Sequence, residues 1–221
     1  DKSEFVNCSF LSSQDTLYTA ADIYFKDCFI EGNTDFIFGS GDVVFDTCEI
    51  SLYGYSTGGV AGYITAARTD SSTSGTTNGY LFRNCVVTAD SLPATNGYYF
   101  GRPWGADARV RFENTKVADL ALINAAGWTQ MSGNQPQNAN FAEYNTTDLS
   151  GTASDVSKRG EGTVETAAVA FDYANWLGFV PASTVAAEKT VAFVTAPYVV
   201  DNGDINAPKP GHTLTACYSL G

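Results

Sequence analysis

A six-residue pattern of apolar and polar positions recurs along the first half of the chain. Each copy reads Phe, a variable residue, Asn, Asp or Thr, then Cys or Thr, a variable residue and an apolar residue. The copies begin at Phe5, Phe25, Phe45, Phe82 and Phe112, at intervals of 20, 20, 37 and 30 residues, and repeats of this size are typical of solenoids. Each copy is a short β-rich run followed by Gly, Asn, Asp or Ser, with little helical periodicity. The pattern therefore predicts an all-β protein, a right-handed parallel β-helix with one coil per repeat.

The repeat also predicts how the chain is organised. We expect the 221 residues to form a single β-helix domain over 1–221. Clear coil repeats would span 1–120, and irregular C-terminal coils would span 121–221. The longer intervals predict coils that carry loops, such as "TDSSTSGTTNG" at 69–79.

Two later segments depart from the repeat. The run "VETAAVAFDYANWLGF" at 164–179 has helical spacing, which predicts a short helix packed along the stack. The tail from Thr190 is punctuated by Pro and Gly. We expect this tail to cover the open end of the stack, because an exposed sheet edge invites pairing with another chain.

The cysteines follow the same register as the repeat. In stacked coils the fourth positions would form an internal ladder, namely Cys8, Cys28, Cys48, Cys85 and Thr115. Neighbouring strands lie about 4.8 Å apart, which allows a disulfide between adjacent coils. Buried free thiols that act as small hydrophobes are equally consistent with the pattern. The five cysteines are odd in number, so at least one thiol stays free in a monomer, and the absence of a CxxC pair argues against zinc.

Composition and charge exclude several classes of protein. With 44% hydrophobic and 16% charged residues, the chain is not expected to be disordered. A formal net charge of −12 without a Lys/Arg cluster argues against binding to nucleic acid. The chain has no apolar run of about 18 residues, so no membrane span is expected. No signal peptide opens the chain at "DKSEFVNC", so we expect a protein that is not exported or a processed or trimmed form.

The single histidine further limits the chemistry. His212 lies in the proline-rich stretch "NAPKPGHTLT" and is expected to be an ordinary surface residue. Its isolation argues against Ser-His-Asp catalysis and against histidine-rich metal sites.

Two aspartates occupy equivalent positions in successive repeats. Asp15 follows Phe5 by ten residues, and Asp35 follows Phe25 by ten. Coils stacked in register would place the two carboxylates about one strand spacing apart, where repulsion raises one pKa and lowers the other. Such a pair could be catalytic, could bind Ca²⁺, or could bond to turn N–H groups. The third coil would put Tyr55 in this register, which weakens the calcium interpretation because calcium requires more oxygen ligands.

A later motif adds a cation and an aromatic residue. In "YYFGRPWGADARV" at 98–110, Arg102 lies between Gly101 and Pro103. An arginine near an aspartate favours its ionised form and can bind it through two hydrogen bonds. Trp104 presents a flat apolar face of the kind that stacks on sugar rings. A surface turn with an aromatic plug is the structural alternative.

Together these segments resemble the pectin methylesterases, a family of carbohydrate esterases. The resemblance rests on "QDTLY" at 14–18, "GNTDFIFG" at 32–39 and "GRPW" at 101–104, with a weaker match in "FAEYNTT" at 141–147. It covers residues 1 to about 150, and the set of three motifs is highly specific. It implies a parallel β-helix whose open groove binds methyl-esterified homogalacturonan, and a secreted, extracellular enzyme that needs no metal or other cofactor.

The resemblance also implies roles for individual residues. Asp35 would be the nucleophile that attacks the ester carbonyl and forms an acyl-enzyme anhydride. Asp15 would be the general acid that protonates methanol and then the base that activates water. Gln14 would donate a hydrogen bond to the oxyanion, and Arg102 would hold Asp35 ionised. The residues implied to line the sugar groove are Trp104, Tyr18, Phe38 and Tyr99.

The chain departs from the family pattern in three places. The family usually has a longer segment before the QD motif, which supplies the first coils and a second oxyanion glutamine. The "TAQGR"-like run of the family occurs here as "TAARTD" at 65–70, without its glutamine, and the tail after about residue 180 has no match. We therefore expect a trimmed or partly recovered sequence, either a monomer or paired with a separate N-terminal chain, with an incomplete oxyanion hole.

Two other classes of function stay open. A pectin lyase or polygalacturonate hydrolase shares the fold, but a lyase needs a calcium-binding acid cluster. A hydrolase needs further paired aspartates, usually with a catalytic-site histidine. A non-catalytic β-helix that only binds cell-wall polysaccharide is the remaining alternative, because the first coils are missing.

Overall fold

A computed structural model describes residues 2–54, 61–69, 78–90, 97–160 and 162–185. Within these ranges the strands are β1 (Lys2–Val6), β2 (Ser9–Leu11), β3 (Leu17–Thr19), β4 (Asp22–Lys26), β5 (Phe29–Gly32), β6 (Thr34–Gly39), β7 (Val43–Asp46), β8 (Glu49–Leu52), β9 (Tyr63–Ala67), β10 (Tyr80–Arg83), β11 (Val86–Ala89), β12 (Tyr99–Gly101), β13 (Arg109–Glu113), β14 (Lys116–Val117), β15 (Asn140–Tyr144) and β16 (Thr147–Asp148). The helical elements are α1 (Tyr173–Leu177) and three 3₁₀ turns, Leu120–Leu122, Pro136–Asn138 and Ala182–Thr184.

The strands form three parallel sheets that run along one stack. Sheet A has the order β1-β4-β7-β10-β13-β15, sheet B has β2-β5-β8-β11-β14-β16, and sheet C has β3-β6-β9-β12. Each of the first four coils contributes one strand to every sheet, and the next two coils contribute to sheets A and B. This architecture confirms the predicted right-handed parallel β-helix. The extent of the domain over 1–221 and the change of character near residue 120 stay predictions.

The recurring phenylalanines share one register at the centre of the stack. The ring centroids of successive residues lie 5.1, 4.9, 4.3 and 4.1 Å apart, for Phe5, Phe25, Phe45, Phe82 and Phe112 in turn. The rings are within 12° of parallel, and the last four are fully buried. Parallel strands hold equivalent side chains one strand spacing apart, so the repeat in the sequence becomes a continuous aromatic column.

The polar third position of the repeat forms the bend between sheets A and B. Its φ angle lies between 51° and 55° in every coil, at Asn7, Asp27, Thr47, Asn84, Asn114 and Asn145. Asn and Asp tolerate this left-handed conformation better than most residues with a side chain. The amide of Asn145 also donates to Asn114 Oδ1 at 2.9 Å. The Asn/Asp preference in the sequence therefore reflects a backbone requirement.

Three cysteines of the ladder are buried free thiols. Cys28, Cys48 and Cys85 are free and buried, so no disulfide joins these adjacent coils. Each thiol donates to a backbone carbonyl of the preceding coil, at 3.5 to 3.6 Å. Burial raises the pKa of Cys48 well above its ordinary value, which keeps that thiol protonated. Thr115 is fully buried at the next position of the ladder, and these residues act as small core groups.

A C-terminal strap, residues 162–185, runs back along the outside of sheet A. Carboxylates of the fifth, third and first coils accept its hydrogen bonds: Glu113 from Val169 N at 2.7 Å, Asp46 from the Tyr173 hydroxyl at 3.1 Å, and Glu4 from Ala182 N and Ser183 N at 2.8 and 2.9 Å. The strap therefore connects the fifth coil to the first and fastens the stack along its length.

The predicted helix at 164–179 is confirmed only in its last part. Helix α1 has five residues, begins after Asp172, whose side chain accepts from Asn175 N, and ends at Gly178 with φ 67°. Leu177 buries its side chain against Tyr24 and its neighbours on the outer face of sheet A. The preceding residues are not helical, and Val169 N donates to the carboxylate of Glu113 instead of to a carbonyl one helical turn earlier.

Several predicted features lie outside the described residues. These are most of the loop at 69–79, the register residue Tyr55, His212 and the tail from Thr190. Among the helices that the structure describes, none has the length and apolar character needed to cross a membrane.

A buried ion pair closes the C-terminal end of the core. Glu143 occupies the register of the phenylalanine column in the sixth coil, and its carboxylate accepts hydrogen bonds from Arg159 Nε and the Thr146 hydroxyl. Arg159 also donates to two backbone carbonyls, at 2.9 and 2.6 Å. Both charged side chains are at most 2% exposed.

We expect Arg159→Ala to lower the free energy of unfolding by about 3–5 kcal/mol, because removal of one partner strands the other charge in the core. Lys158→Ala, at the exposed neighbouring position, serves as the matched control and should change stability by less than about 0.5 kcal/mol. Urea unfolding followed by tryptophan fluorescence measures both. A loss below about 1 kcal/mol in Arg159→Ala would show that the pair does not close the core.

Candidate active site

The two aspartates of the repeat lie on the outer side of sheet C. Gln14 bridges Thr34, and three residues later Leu17 pairs with Ile37, so Asp15 stands in register with Asp35. The backbone N–H of Asp15 donates to the Thr34 carbonyl at 3.1 Å. The first two coils therefore place the two carboxylates one above the other.

Both aspartates have an unusual backbone conformation. The φ angle is 53° at Asp15 and 50° at Asp35, and the pairing of β6 with β9 shifts register between Thr34 and Ile37. β-Bulges redirect side chains next to active sites, and non-glycine residues with positive φ cluster at such sites. The two bends interrupt the regular alternation of sheet C at the carboxylates themselves.

Arg102 binds Asp35 through two hydrogen bonds. Its Nε donates to Oδ1 at 2.8 Å and its terminal nitrogen donates to Oδ2 at 2.6 Å. Asp35 is only 6% exposed, so this bidentate cation compensates the desolvated carboxylate. Partial burial alone lowers the pKa of Arg102, but the hydrogen bonds and charge of Asp35 outweigh it and raise the pKa overall. The guanidinium therefore stays charged.

Asp15 has a different environment from its partner. It is exposed at its outer side, and no described residue forms an ion pair with it. Partial desolvation and then repulsion by Asp35 raise the pKa of Asp15, whereas the charge of Arg102 lowers it. The raised pKa favours a protonated Asp15 beside an arginine-bound Asp35, which is the asymmetry that a proton donor and a nucleophile require.

Gln14 is exposed next to this pair. Its side-chain amide makes no hydrogen bond within the described ranges, so it is available to a bound molecule. The sequence indicated a role for Gln14 only through the family motif, and the structure places the residue at the edge of the carboxylate pair.

Three of the four predicted groove aromatics form one row. The Tyr18 ring lies 5.0 Å from Phe38, and Phe38 lies 6.2 Å from Trp104. Tyr18 is 61% exposed and Trp104 36%. Ala66 occupies the register of Tyr18 and Phe38 in the third coil. This aromatic row borders the carboxylates and presents an apolar surface to solvent.

Tyr99 belongs to a second aromatic group. Its ring stacks on Tyr63 at 5.8 Å, and the Arg102 guanidinium lies 3.8 Å from the centre of the Tyr63 ring. Tyr63 thus stabilises Arg102 through a cation–π contact. No sequence motif marked Tyr63. Its register opposite Tyr99 becomes visible only from the strand pairing.

The motif residues around the site have packing roles. The Asn33 amide donates to the Tyr98 hydroxyl at 2.8 Å, and its carbonyl accepts from Thr34 at 2.6 Å. Gly101 has no room for a side chain, because a Cβ would lie 2.0 Å from Thr65 Oγ1. These contacts fix the backbone immediately before Asp35 and immediately before Arg102.

The described part of the chain contains no group of three or more His, Cys, Asp or Glu residues that could hold a metal ion. The site itself consists of a carboxylate pair with an arginine, and these groups are suited to acid–base and nucleophilic chemistry.

The coupling between the aspartates can be measured directly. Because repulsion by Asp35 raises the pKa of Asp15, we expect Asp35→Asn to lower the pKa of Asp15, as seen in a carboxyl-detected NMR titration. Asp27→Asn removes a charge at an exposed bend with the same backbone conformation and should leave the pKa of Asp15 unchanged. An unchanged or higher Asp15 pKa in Asp35→Asn would contradict the coupling.

Comparison with known proteins identifies a family. The family model described as Pectinesterase matches residues 1–179. The probable pectinesterase A of Aspergillus niger is 40% identical over 172 residues, which cover 76% of this chain and 48% of that protein. Pectinesterase 31 of Arabidopsis thaliana is 39% identical over 147 residues, which cover 65% of this chain and 42% of that protein. The chain thus spans about half the length of the curated relatives it matches.

Solved structures show the same likeness. The pectin methylesterase of Aspergillus niger in deglycosylated form superimposes with a TM-score of 0.63 at 34% identity, covering 77% of this chain and 52% of that one. The carrot pectin methylesterase superimposes with a TM-score of 0.62 at 29% identity, covering 73% of this chain and 50% of that one. A pectin methylesterase in complex with a hexasaccharide superimposes with a TM-score of 0.57 at 28% identity, covering 71% of this chain and 52% of that one.

Proposed function

The chain belongs to the pectinesterase family, and we propose that it hydrolyses methyl esters of homogalacturonan and releases methanol. The observation that carries this proposal is the asymmetric carboxylate pair. Arg102 binds both oxygens of Asp35, while Asp15 lies in register with it and has a raised pKa. One carboxyl is thus prepared to attack and the other to donate a proton.

The first half of the proposed reaction forms an acyl-enzyme. A carboxylate oxygen of Asp35 attacks the ester carbonyl carbon, and the negative charge moves to the carbonyl oxygen. The exposed amide of Gln14 donates a hydrogen bond to this oxyanion. When the tetrahedral intermediate collapses, the bond to the methoxy oxygen breaks and Asp15 transfers its proton to that oxygen, so that methanol leaves and an anhydride with Asp35 remains.

The second half restores the enzyme. Asp15, now a carboxylate, takes a proton from water while the water oxygen attacks the substrate carbonyl of the anhydride. The anhydride bond breaks, Asp35 leaves as a carboxylate bound to Arg102, and the substrate retains a free carboxyl group. Asp15 is protonated again and ready for the next ester.

The surroundings of the pair suit a polysaccharide substrate. The aromatic row of Tyr18, Phe38 and Trp104 offers exposed flat surfaces on which sugar rings can stack. Tyr99 lies outside this row and instead stacks on Tyr63, whose ring contacts the Arg102 guanidinium. We further propose that the chain binds methyl-esterified homogalacturonan and acts outside the cell.

Further coils are also part of the proposal. Strands β1, β2 and β3 are the outermost strands of their sheets within the described residues, and the matched segments cover only 45% and 48% of two fungal relatives. A segment paired to these strands, in the same or a separate chain, would extend the groove and supply the second oxyanion glutamine that the family resemblance implies.

Product analysis on methyl-esterified homogalacturonan tests this function. We expect methanol and new carboxyl groups in equal amounts, with no absorbance from unsaturated uronides. Unsaturated products would indicate a lyase, and binding without any product would indicate a non-catalytic polysaccharide-binding protein. If the chain alone releases no methanol, the same assay with the upstream family segment added separates a missing oxyanion donor from a wrong function.

A further inference from the structure

An arginine outside the predicted catalytic set lies beside the aromatic row. Arg68 follows strand β9, and its backbone N–H donates to the Gly39 carbonyl at 2.7 Å. Its guanidinium carbon lies 5.0 Å from the centre of the Trp104 ring, and the residue is exposed. Trp104 follows Arg102 by two residues, so Arg68 stands at the same rim as the carboxylate pair.

The backbone and the neighbouring glycine define the position of Arg68. The carbonyl of the preceding residue, Ala67, accepts hydrogen bonds from Trp104 N and Gly105 N at 3.0 and 3.3 Å. A Cβ on Gly105 would lie 3.1 Å from Arg68 Cγ, so the glycine leaves space for the arginine side chain. A guanidinium held against an aromatic face loses less conformational freedom when it binds a ligand.

The charge of Arg68 is not compensated within the part of the chain that the structure describes. The ion pairs there involve Arg102 with Asp35 at the site, and none involves Arg68. The protein as a whole has a net charge of −12 and therefore repels polyanions. An exposed, unpaired guanidinium at the rim of the groove is a local exception to that repulsion.

We propose that Arg68 binds the free carboxylate of a galacturonate unit close to the methyl ester that is hydrolysed. This inference rests on the function proposed above. Partly de-esterified pectin carries such carboxylates, whereas fully methylated pectin does not. A guanidinium binds a carboxylate through two parallel hydrogen bonds. Arg68 therefore makes the site selective for partly de-esterified chains, and each turnover creates a carboxylate that Arg68 can hold while a neighbouring ester reacts.

Initial rates on two substrates test this role. On partly de-esterified homogalacturonan we expect Arg68→Gln to lower kcat/KM about ten-fold, mainly through a higher KM, as for the loss of a solvent-exposed, charge-assisted contact with a carboxylate. On the fully methylated polymer the change should stay within about two-fold. Arg68→Lys should retain part of the preference for the partly de-esterified polymer over the fully methylated one. Added salt should weaken this preference in the wild type.

Lys116→Gln is the matched control, because it removes one positive charge at an exposed position on sheet B and should affect neither substrate. Equal losses on both substrates in Arg68→Gln, or no loss on either, would overturn the inference.

A binding measurement separates this inference from the proposed catalysis. In an Asp35→Asn background, Arg68→Gln should weaken calorimetric binding of de-esterified oligogalacturonate about ten-fold and leave binding of the methylated oligomer nearly unchanged. If the wild type releases no methanol even with the upstream family segment added, the proposed function fails, and this binding difference still tests Arg68. Equal affinities with and without Arg68 would refute the carboxylate site.

Discussion

Replacing Asp35 with Asn is expected to abolish methanol release, with a loss of about 10⁵-fold or more in kcat. The amide has nearly the same shape and can still accept a hydrogen bond from Arg102, so the fold and the groove should persist. What disappears is the negative oxygen that attacks the ester carbonyl. Initial rates of methanol formation on methyl-esterified homogalacturonan measure the effect, and circular dichroism confirms that the β-helix is intact.

A matched control is available within the same coil. Asp27 has φ 51°, close to the 50° of Asp35, but it is exposed at the bend between sheets A and B, where most other coils have Asn. Asp27→Asn should therefore retain nearly full activity. Residual activity above about 1% of wild type in Asp35→Asn would exclude this residue as the nucleophile.

The second large effect is expected for Asp15→Asn, which removes the proton donor and acceptor of the reaction. Loss of a general acid–base residue lowers rates by about 10²- to 10⁴-fold, so this variant should retain more activity than Asp35→Asn. The loss should be smallest for acylation by an ester of a more acidic alcohol, because such an alcohol leaves without being protonated.

That difference provides a specific test of the role of Asp15. With an ester of a more acidic alcohol, Asp15→Asn should release one equivalent of alcohol in a burst and then stall, because no base activates the water that cleaves the anhydride. Mass spectrometry should then detect an acyl group on Asp35. Steady turnover without a burst, or an equal loss on both esters, would mean that Asp15 does not transfer protons.

The local repeat determined much of the fold. The Phe-x-Asn-Cys pattern predicted the coils and the inward cysteines, because residues at equivalent positions of a parallel stack lie above one another. The same register placed Asp15 over Asp35 from their equal spacing to Phe5 and Phe25 alone. These features depend on short stretches of sequence that repeat, and such stretches are visible without knowledge of distant contacts.

Other features were decided by contacts between distant segments. Arg102 and Asp35 are 67 residues apart, and the cation–π contacts of Tyr63 and Arg68 form only when the third and fourth coils meet. The helix predicted over 164–179 has only five residues, and upstream of it Val169 N donates to the carboxylate of Glu113 in sheet A. The sequence alone thus determined which residues share a register, whereas the tertiary structure decided which charges are paired, because charge pairing depends on where loops of unequal length return the chain to the stack.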